Sequence, residues 1–137
     1  MTPLQPDSKL VLVVDDFVDN REMYSEYLAF SGYRVIQATN GREAVEAAKA
    51  QRPDIIVMDL SLPVMDGWEA TRLLKANEGT RHIPVVALTG HALAAHSKEA
   101  QAAGCDSFLT KPCLPDALVV EIKRMLENGT LSISSKP

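Results

Sequence analysis

The chain has 137 residues, of which 46% are hydrophobic and 23% charged. This length suits one domain, and the composition is that of a globular protein rather than a disordered one. The net charge of −4 argues against nucleic acid as the direct partner, because phosphate binding needs clustered Lys and Arg.

No targeting or membrane signal is visible in the sequence. No apolar run approaches the length of a membrane span, and the first residues lack the basic segment and apolar core of a signal peptide. Cys105 and Cys113 stand in no metal-ligand or redox spacing. We therefore predict a cytoplasmic protein with reduced thiols and no membrane partner.

Short apolar runs alternate with helical patterns along residues 9–127, whereas residues 1–8 and 128–137 are predicted to be a flexible lead-in and tail. The predicted strands are 9–16, 34–39, 55–60, 83–89 and 107–110. The predicted helices are 19–31, 40–51, 66–76, 93–103 and 115–127. This alternation predicts an α/β fold, a parallel sheet with right-handed crossovers and helices on both faces.

Local signals mark the ends of these helices. Asp19 is expected to cap the first helix and Gly32 to end it, and Asn40 is expected to cap the second. Asn128 and Gly129 are expected to stop the last helix. In the first helix, apolar residues at roughly helical spacing predict the inward face. They are Met23, Tyr27, Leu28 and Phe30.

Polar residues follow four of the apolar runs at the point where each run ends. They are Asp15 and Asp16, then Asp59, Thr89 and Lys111. In a parallel sheet the carboxyl ends of all strands lie at one edge, so these side chains should converge. Carboxylates brought together repel one another, and a hard cation such as Mg²⁺ resolves that repulsion. A lysine and a hydroxyl beside them suit a phosphoryl group, which an Asp can accept as nucleophile.

These motifs resemble those of the response-regulator receiver domain, the phosphoacceptor module of two-component signalling. The motifs are Val14-Asp15-Asp16, the stretch 58–67 around Asp59, Ala87-Leu88-Thr89-Gly90, and the stretch 108–112 ending in Lys111-Pro112. The resemblance covers about residues 9–127 and implies a doubly wound, flavodoxin-like sheet of five parallel strands in the order 2-1-3-4-5.

The resemblance also implies roles for individual residues. Asp59 would accept a phosphoryl group from a histidine kinase or a phosphotransfer protein. Asp16, Asp59 and the backbone carbonyl of Ser61 would bind Mg²⁺, and Asp15 would act mostly through a bound water. Ser61 and His91 occupy positions that tune phosphoryl lifetime in this family.

The second half of the site would read out the phosphoryl group. Thr89 and Lys111 would contact its oxygens, and the bond between Lys111 and Pro112 would be a cis peptide. Phe108 stands where the family has its switch aromatic, which turns inward as Thr89 moves. A downstream effector protein would then bind the surface formed by the predicted helix 93–103, the last strand and the last helix.

Two other functions compete with that of a signalling switch, which would not act as an enzyme on an external substrate. A Mg²⁺-dependent phosphatase of the haloacid-dehalogenase type needs Asp-x-Asp after the first strand, whereas Asp15 and Asp16 are adjacent. A flavodoxin-like cofactor carrier needs a hydroxyl- and Gly-rich loop there, and acidic residues would repel its phosphate. Within the receiver interpretation, a stand-alone protein and a domain excised from a hybrid kinase or longer regulator both fit the sequence.

Overall fold

The computed structural model of the chain describes residues 8–60, 67–90, 103–111 and 113–134, and the side chains of the last helix up to residue 127. Residues 61–66 and nearly all of the predicted helix 93–103 lie outside the described part of the chain. None of the described helices is both long and apolar enough to cross a membrane.

The described strands form one parallel sheet in the order β2-β1-β3-β4-β5. The strands are β1 (Leu10–Val14), β2 (Arg34–Ala38), β3 (Ile55–Asp59), β4 (Val85–Thr89) and β5 (Ser107–Thr110). All residues of β1, β3 and β4 are buried, as expected for strands covered on both faces. The predicted fold class and strand order are confirmed.

Helices cover both faces of the sheet and bury separate apolar clusters. They are α1 (Val18–Phe30), α2 (Gly41–Gln51), α3 (Gly67–Ala76) and the C-terminal helix (Pro115–Ser134). On one face, α2 and α3 pack on side chains that include Leu12, Ile56 and Met58. On the other face, α1 and the C-terminal helix pack on Val11 and Val57. The odd and even residues of each central strand thus serve opposite clusters.

The start and the buried face of α1 differ from the sequence prediction. The helix begins at Val18 with Phe17 at the N-cap position, and no side chain caps it. Asp19 therefore lies inside the first turn, where its charge faces the positive end of the helix. The helix ends as predicted, with Gly32 at a φ of +102° just beyond Ser31.

The predicted apolar stripe of α1 was wrong for three of its four members. Met23 and Tyr27 are each 40% exposed and Phe30 is 90% exposed, and only Leu28 is buried. The buried face instead consists of Tyr24, Ser25 and Leu28. The physical reason is that Tyr24 and Ser25 lie four and three residues before Leu28, which places all three on one side of the helix.

The C-terminal helix does not stop at Asn128 and Gly129 but continues to Ser134. Glycine lowers helix stability by only about 1 kcal/mol relative to Ala, unlike Pro, which removes a hydrogen bond. The sequence signal for a helix end was therefore a weak one.

At the amino end of the sheet, an Asp side chain twice accepts the first backbone N–H of a neighbouring strand. Asp54 Oδ2 accepts from Leu10 N of β1 at 2.7 Å. Asp106 Oδ2 accepts from Val85 N of β4 at 2.8 Å and also from Lys75 Nζ at 2.9 Å. Asp54 directly precedes β3, and Asp106 directly precedes β5. The first backbone N–H groups of β1 and β4 are therefore satisfied by side chains at the starts of neighbouring strands.

Candidate functional site

The carboxyl ends of β1 and β3 bring three carboxylates together. Asp15 and Asp16 directly follow β1, and Asp59 is the last residue of β3. One carboxylate oxygen from each of the three lies within 4.8 Å of the others. This is an oxygen-only donor set of the kind that hard divalent cations prefer. The predicted convergence of these carboxylates at one edge is therefore present in the structure.

Asp15 is only 2% exposed, and its two carboxylate oxygens differ in their surroundings. Oδ1 accepts a hydrogen bond from Phe17 N at 2.9 Å. Oδ2 is buried and has no hydrogen-bond partner among the described residues. Burial raises the pKa of Asp15 above its usual range, the Phe17 N–H partly opposes this, and the charge of Asp59 raises it further. A buried anion oxygen without a donor is costly, and a cation at this point would remove that cost.

Arg21 of α1 fixes the loop that carries Asp15. Its Nη1 donates to the Asp15 carbonyl at 3.0 Å, and its Nε donates to Gln37 Oε1 at 2.9 Å. Arg21 therefore connects three elements: its own helix α1, the end of β1 and the neighbouring strand β2. The sequence prediction did not include this residue, because an Arg in the first turns of a helix is ordinarily a surface charge.

Lys111 supplies the positive charge of the site. Its Nζ lies 3.1 Å from Asp59 Oδ2, with the Asp59 side chain 4% and the Lys111 side chain 28% exposed. The backbone N–H of Lys111 donates to the Thr89 carbonyl at 2.7 Å, which extends the β4–β5 pairing by one step. Lys111 and Asp59 thus converge at the same edge of the sheet, as the strand ends predict.

Thr89 and Phe108 lie on the two strands beside the carboxylates. Thr89 is the last residue of β4 and is buried, and Leu88 before it pairs in register with Asp59. Phe108 pairs in register with Ala87 and packs partly buried against the apolar cluster of α2 and α3. Thr89 therefore lies one residue beyond the β4 position that pairs with Asp59.

Gly67 lets the start of α3 approach the end of β3. A Cβ at this position would lie 2.4 Å from the Asp59 carbonyl oxygen and 2.7 Å from Leu60 Cα. Both neighbours are backbone atoms that cannot swing aside. The sequence predicts Gly67 to lie in the motif around Asp59 and at the start of a helix, but this close approach depends on a contact that local patterns do not reveal.

Several predicted features fall outside the description or away from the site. Ser61, His91 and Pro112, and with them the proposed cis peptide bond and the lifetime positions, lie outside the described residues. Both cysteines are free thiols, as predicted. Trp68 is partly buried against the α2 and α3 cluster, in agreement with a packing role.

A strand order of 2-1-3-4-5 with acidic residues at the ends of β1 and β3 and a lysine after β5 defines a receiver-type signalling domain. A family model described as the response regulator receiver domain matches residues 11–123. The chain belongs to this family.

Related proteins agree with this assignment. The chain is 36% identical over 118 residues to a polar-differentiation response regulator DivK of Brucella anthropi, covering 86% of this chain and 96% of the relative. Among solved structures, the chemotaxis response regulator CheY4 of Vibrio cholerae is similar, with a TM-score of 0.81 and 33% identity over 85% of this chain and 98% of that one. The receiver domain of the sensor histidine kinase PA1611 of Pseudomonas aeruginosa PAO1, a structure with magnesium coordinated in the active site cleft, has a TM-score of 0.76 and 36% identity over 88% of this chain and 96% of that one.

Proposed function

We propose that Asp59 of this chain accepts a phosphoryl group from a phosphohistidine, in a Mg²⁺-dependent reaction, and that the domain then changes its affinity for an effector protein. The donor would be a histidine kinase or a phosphotransfer protein. Receiver domains are signalling modules that act as phosphoacceptors rather than as enzymes on external substrates. The residue roles that follow are our proposal for this chain.

One observation carries the proposal: three carboxylates and one ammonium meet at the carboxyl edge of the sheet. Asp59 belongs to the cluster of carboxylates and also pairs with Lys111. A purely structural ion pair would not need two further carboxylates beside it, since like charges at this distance destabilise the fold. A doubly charged phosphoryl group bound together with a cation gives each of these groups a partner.

The proposed transfer forms one bond and breaks one bond. An Asp59 carboxylate oxygen attacks the phosphorus of the phosphohistidine, and the P–N bond breaks. The imidazole leaves with the electron pair of that bond and takes up a proton from solvent. The product on this chain is a mixed anhydride between Asp59 and phosphate.

The residues around Asp59 would each serve a separate purpose in that step. Lys111 would neutralise charge on the phosphoryl oxygens, as an ammonium does at many phosphate sites. Thr89 would donate its hydroxyl to one of them. Asp59 rather than Asp15 or Asp16 would be the nucleophile, because it pairs with Lys111 and ends the strand beside β4, which carries Thr89.

The donor set fits Mg²⁺ on the evidence of the buried Asp15 Oδ2, which has no partner among the described residues. Asp15, Asp16 and Asp59 would hold the ion, together with the Ser61 carbonyl that the family resemblance implies. When bound, Mg²⁺ would offset the charge of the carboxylates and of the incoming phosphoryl group.

The output would be a shift between two conformations. In the phosphorylated state Thr89 and Phe108 would move toward the site, and the surface around β5 and the C-terminal helix would bind the effector. Such a shift requires that the phosphoryl group bind the two states with different affinity. The partly buried position of Phe108, on the strand next to Thr89, supports this assignment.

The test is intact mass after incubation with acetyl phosphate and Mg²⁺. We expect wild type to gain one phosphoryl group, and to gain none without Mg²⁺ or in Asp59→Asn. Asp54→Asn is the matched control, because Asp54 precedes the same strand at its other end and an Asn oxygen can still accept the Leu10 N–H.

Phosphorylation of Asp59→Asn at the wild-type level would overturn the assignment of the acceptor. Wild type could instead take up no phosphoryl group although Trp68 fluorescence shows that Mg²⁺ binds. Acetyl phosphate would then not be a donor for this chain, and a protein donor would have to be tested. A purified phosphorylated histidine-containing phosphotransfer domain would then be the decisive donor, and failure there too would reject the proposed function.

A further inference from the structure

We propose that Tyr24 is a positioning residue for Lys111, which it holds beside Asp59 through a hydrogen bond to the backbone of the loop after β5. The inference rests on the proposed phosphoacceptor function of Asp59. It adds a residue of α1 to a reaction whose other participants all lie at or just beyond the carboxyl ends of strands.

The bond joins two parts of the chain that are far apart in sequence. The Tyr24 hydroxyl donates to the Cys113 carbonyl at 2.7 Å, and the contact is buried. Cys113 is the second residue after Lys111, whose Nζ lies 3.1 Å from Asp59 Oδ2. Any displacement of the Cys113 carbonyl is therefore transmitted over a very short stretch of backbone to the lysine.

The loop needs such an anchor because of its place in the sheet. Among the described strands, β5 lies at the edge of the sheet and pairs with β4 alone. Before the loop, the Lys111 N–H is held by the Thr89 carbonyl at 2.7 Å. After Lys111, the bond from Tyr24 to Cys113 is the corresponding anchor on the α1 side. The lysine is thus fixed between one bond to β4 and one to α1.

Packing on the α1 side holds this loop on one side only. Cys113 is buried in the same apolar cluster as Tyr24, but an open groove of about 510 Å³ is also lined by Tyr24, Lys111 and Cys113. A loop that is packed on one side is held less tightly than one that is packed all round. Directional hydrogen bonds then decide its position.

The chemistry of Tyr24 suits a permanent donor. The pKa of Tyr24 is raised to about 12, chiefly by burial and to a smaller extent by Cys113 and the carboxylates of Asp15 and Asp59. The hydroxyl therefore keeps its proton throughout the physiological pH range. A phenylalanine at this position would fill the same apolar site and lack only the hydrogen bond.

The experiment compares Tyr24→Phe with Tyr33→Phe, alone and in a Lys111→Ala background. Tyr33 is a buried tyrosine of the same apolar cluster, so its variant controls for the loss of a hydroxyl in that core. The first readout is the initial rate of phosphorylation by acetyl phosphate at saturating Mg²⁺. The second is the rate at which acetic anhydride labels Lys111 relative to Lys75, measured by peptide mass.

We expect Tyr24→Phe to lower the phosphorylation rate roughly threefold to tenfold, the size of one net hydrogen bond. It should raise the labelling of Lys111 relative to Lys75, whose Nζ donates to three acceptors. Tyr33→Phe should change neither. In the Lys111→Ala background the Tyr24 substitution should have no further effect, because its influence passes through the lysine.

A purely structural role predicts different results. Equal losses from Tyr24→Phe with and without Lys111, or an unchanged Lys111 labelling rate, would overturn the inference. The labelling readout needs no phosphorylation, so it decides the positioning of Lys111 even if wild type takes up no phosphoryl group. A lack of phosphoryl uptake by wild type would count against the proposed function and not against the positioning of Lys111.

Discussion

The two ends of the sheet use the same residue type in opposite ways. At the amino end, Asp54 and Asp106 each accept the backbone N–H of a neighbouring strand, and Asp106 also pairs with Lys75. At the carboxyl end, Asp15, Asp16 and Asp59 crowd within 4.8 Å of one another, and Asp15 Oδ2 is buried without a partner among the described residues.

The carboxylates at the amino end stabilise the fold through hydrogen bonds. We propose that those at the carboxyl end bind a ligand instead. A buried carboxylate stabilises only when donors satisfy it, and otherwise its burial is a cost. Folding brings the carboxylates at the carboxyl end together, and a bound cation would relieve their repulsion. The comparison therefore predicts opposite signs for the removal of charge at the two ends.

The largest expected effect on stability is that of Gly67→Ala. Its new Cβ would lie 2.4 Å from the Asp59 carbonyl oxygen, so the start of α3 or the end of β3 must move. We expect a loss of about 3 kcal/mol in the free energy of unfolding, measured by urea denaturation. Gly90→Ala is the matched control, because a Cβ there meets no atom within 4 Å of the described chain. An equal loss in both variants would show that the close approach beside Asp59 is not the cause.

Removal of charge at the amino end should destabilise the protein. Asp106→Ala leaves the first N–H of β4 without its acceptor and Lys75 without its carboxylate. We expect a loss of about 2 kcal/mol by urea denaturation, since hydrogen bonds to charged groups are the stronger ones. Glu46→Ala, an exposed carboxylate on α2, should change stability by less than about 0.5 kcal/mol. A comparable effect of both would mean that Asp106 acts only through net charge.

Removal of charge at the carboxyl end should have the opposite effect in the metal-free protein. Asp15→Asn keeps an oxygen for the Phe17 N–H and abolishes repulsion from Asp59, so we expect a gain of about 1 kcal/mol near neutral pH with EDTA present. The same variant should bind Mg²⁺ more weakly. A loss of stability in EDTA would contradict the contrast between the two ends.

The pH dependence follows from the raised pKa of Asp15. Its value in the folded protein lies above the ordinary 3.8 because the carboxylate is buried. Below the ordinary value the carboxyl is protonated in both states, and wild type and Asp15→Asn should be nearly equal in stability. As the pH rises through the folded-state pKa, the wild type should lose stability relative to the variant. Urea titrations between about pH 4 and pH 7 measure this difference.

The sequence predicted the sheet and the residues at its carboxyl edge because both depend on local patterns. Buried strands appear as apolar runs, and in a parallel sheet the residue after each run lies at a known edge. This was sufficient for Asp15, Asp59 and Lys111. It was not sufficient for the contacts that hold them, since Tyr24 and Cys113 are 89 positions apart in the chain.

The buried face of α1 was mispredicted for a related reason. Hydrophobicity alone placed Phe30 inward, although it is 90% exposed. The buried face contains Ser25, whose hydroxyl donates to the Arg21 carbonyl within the helix. A helix whose polar residues bind its own backbone can bury them, and a scale of apolar residues does not detect this.

The smallest expected effect concerns the helix that follows β2, at the same edge as the acidic residues. Asn40 Oδ1 accepts from Glu43 N at 2.9 Å, and Glu43 Oε1 accepts from both Thr39 N and Thr39 Oγ1. Asn40→Ala should therefore cost about 1 kcal/mol. Asp19→Ala should cost only about 0.3 kcal/mol, because Asp19 makes no capping bond and contributes through the helix dipole alone.

These two variants test whether the carboxyl edge as a whole, or only the acidic cluster, carries unsatisfied polar groups. Asn40 Oδ1 and Glu43 Oε1 both accept hydrogen bonds just after β2, the strand beside β1, so the edge itself does not prevent pairing. If thermal unfolding shows Asn40→Ala to be neutral or stabilising, polar groups elsewhere on this edge also fail to stabilise the fold, and the contrast drawn from Asp15 loses its specificity. If it shows the expected loss, the cost is confined to the acidic cluster, where Asp15 Oδ2 has no partner among the described residues.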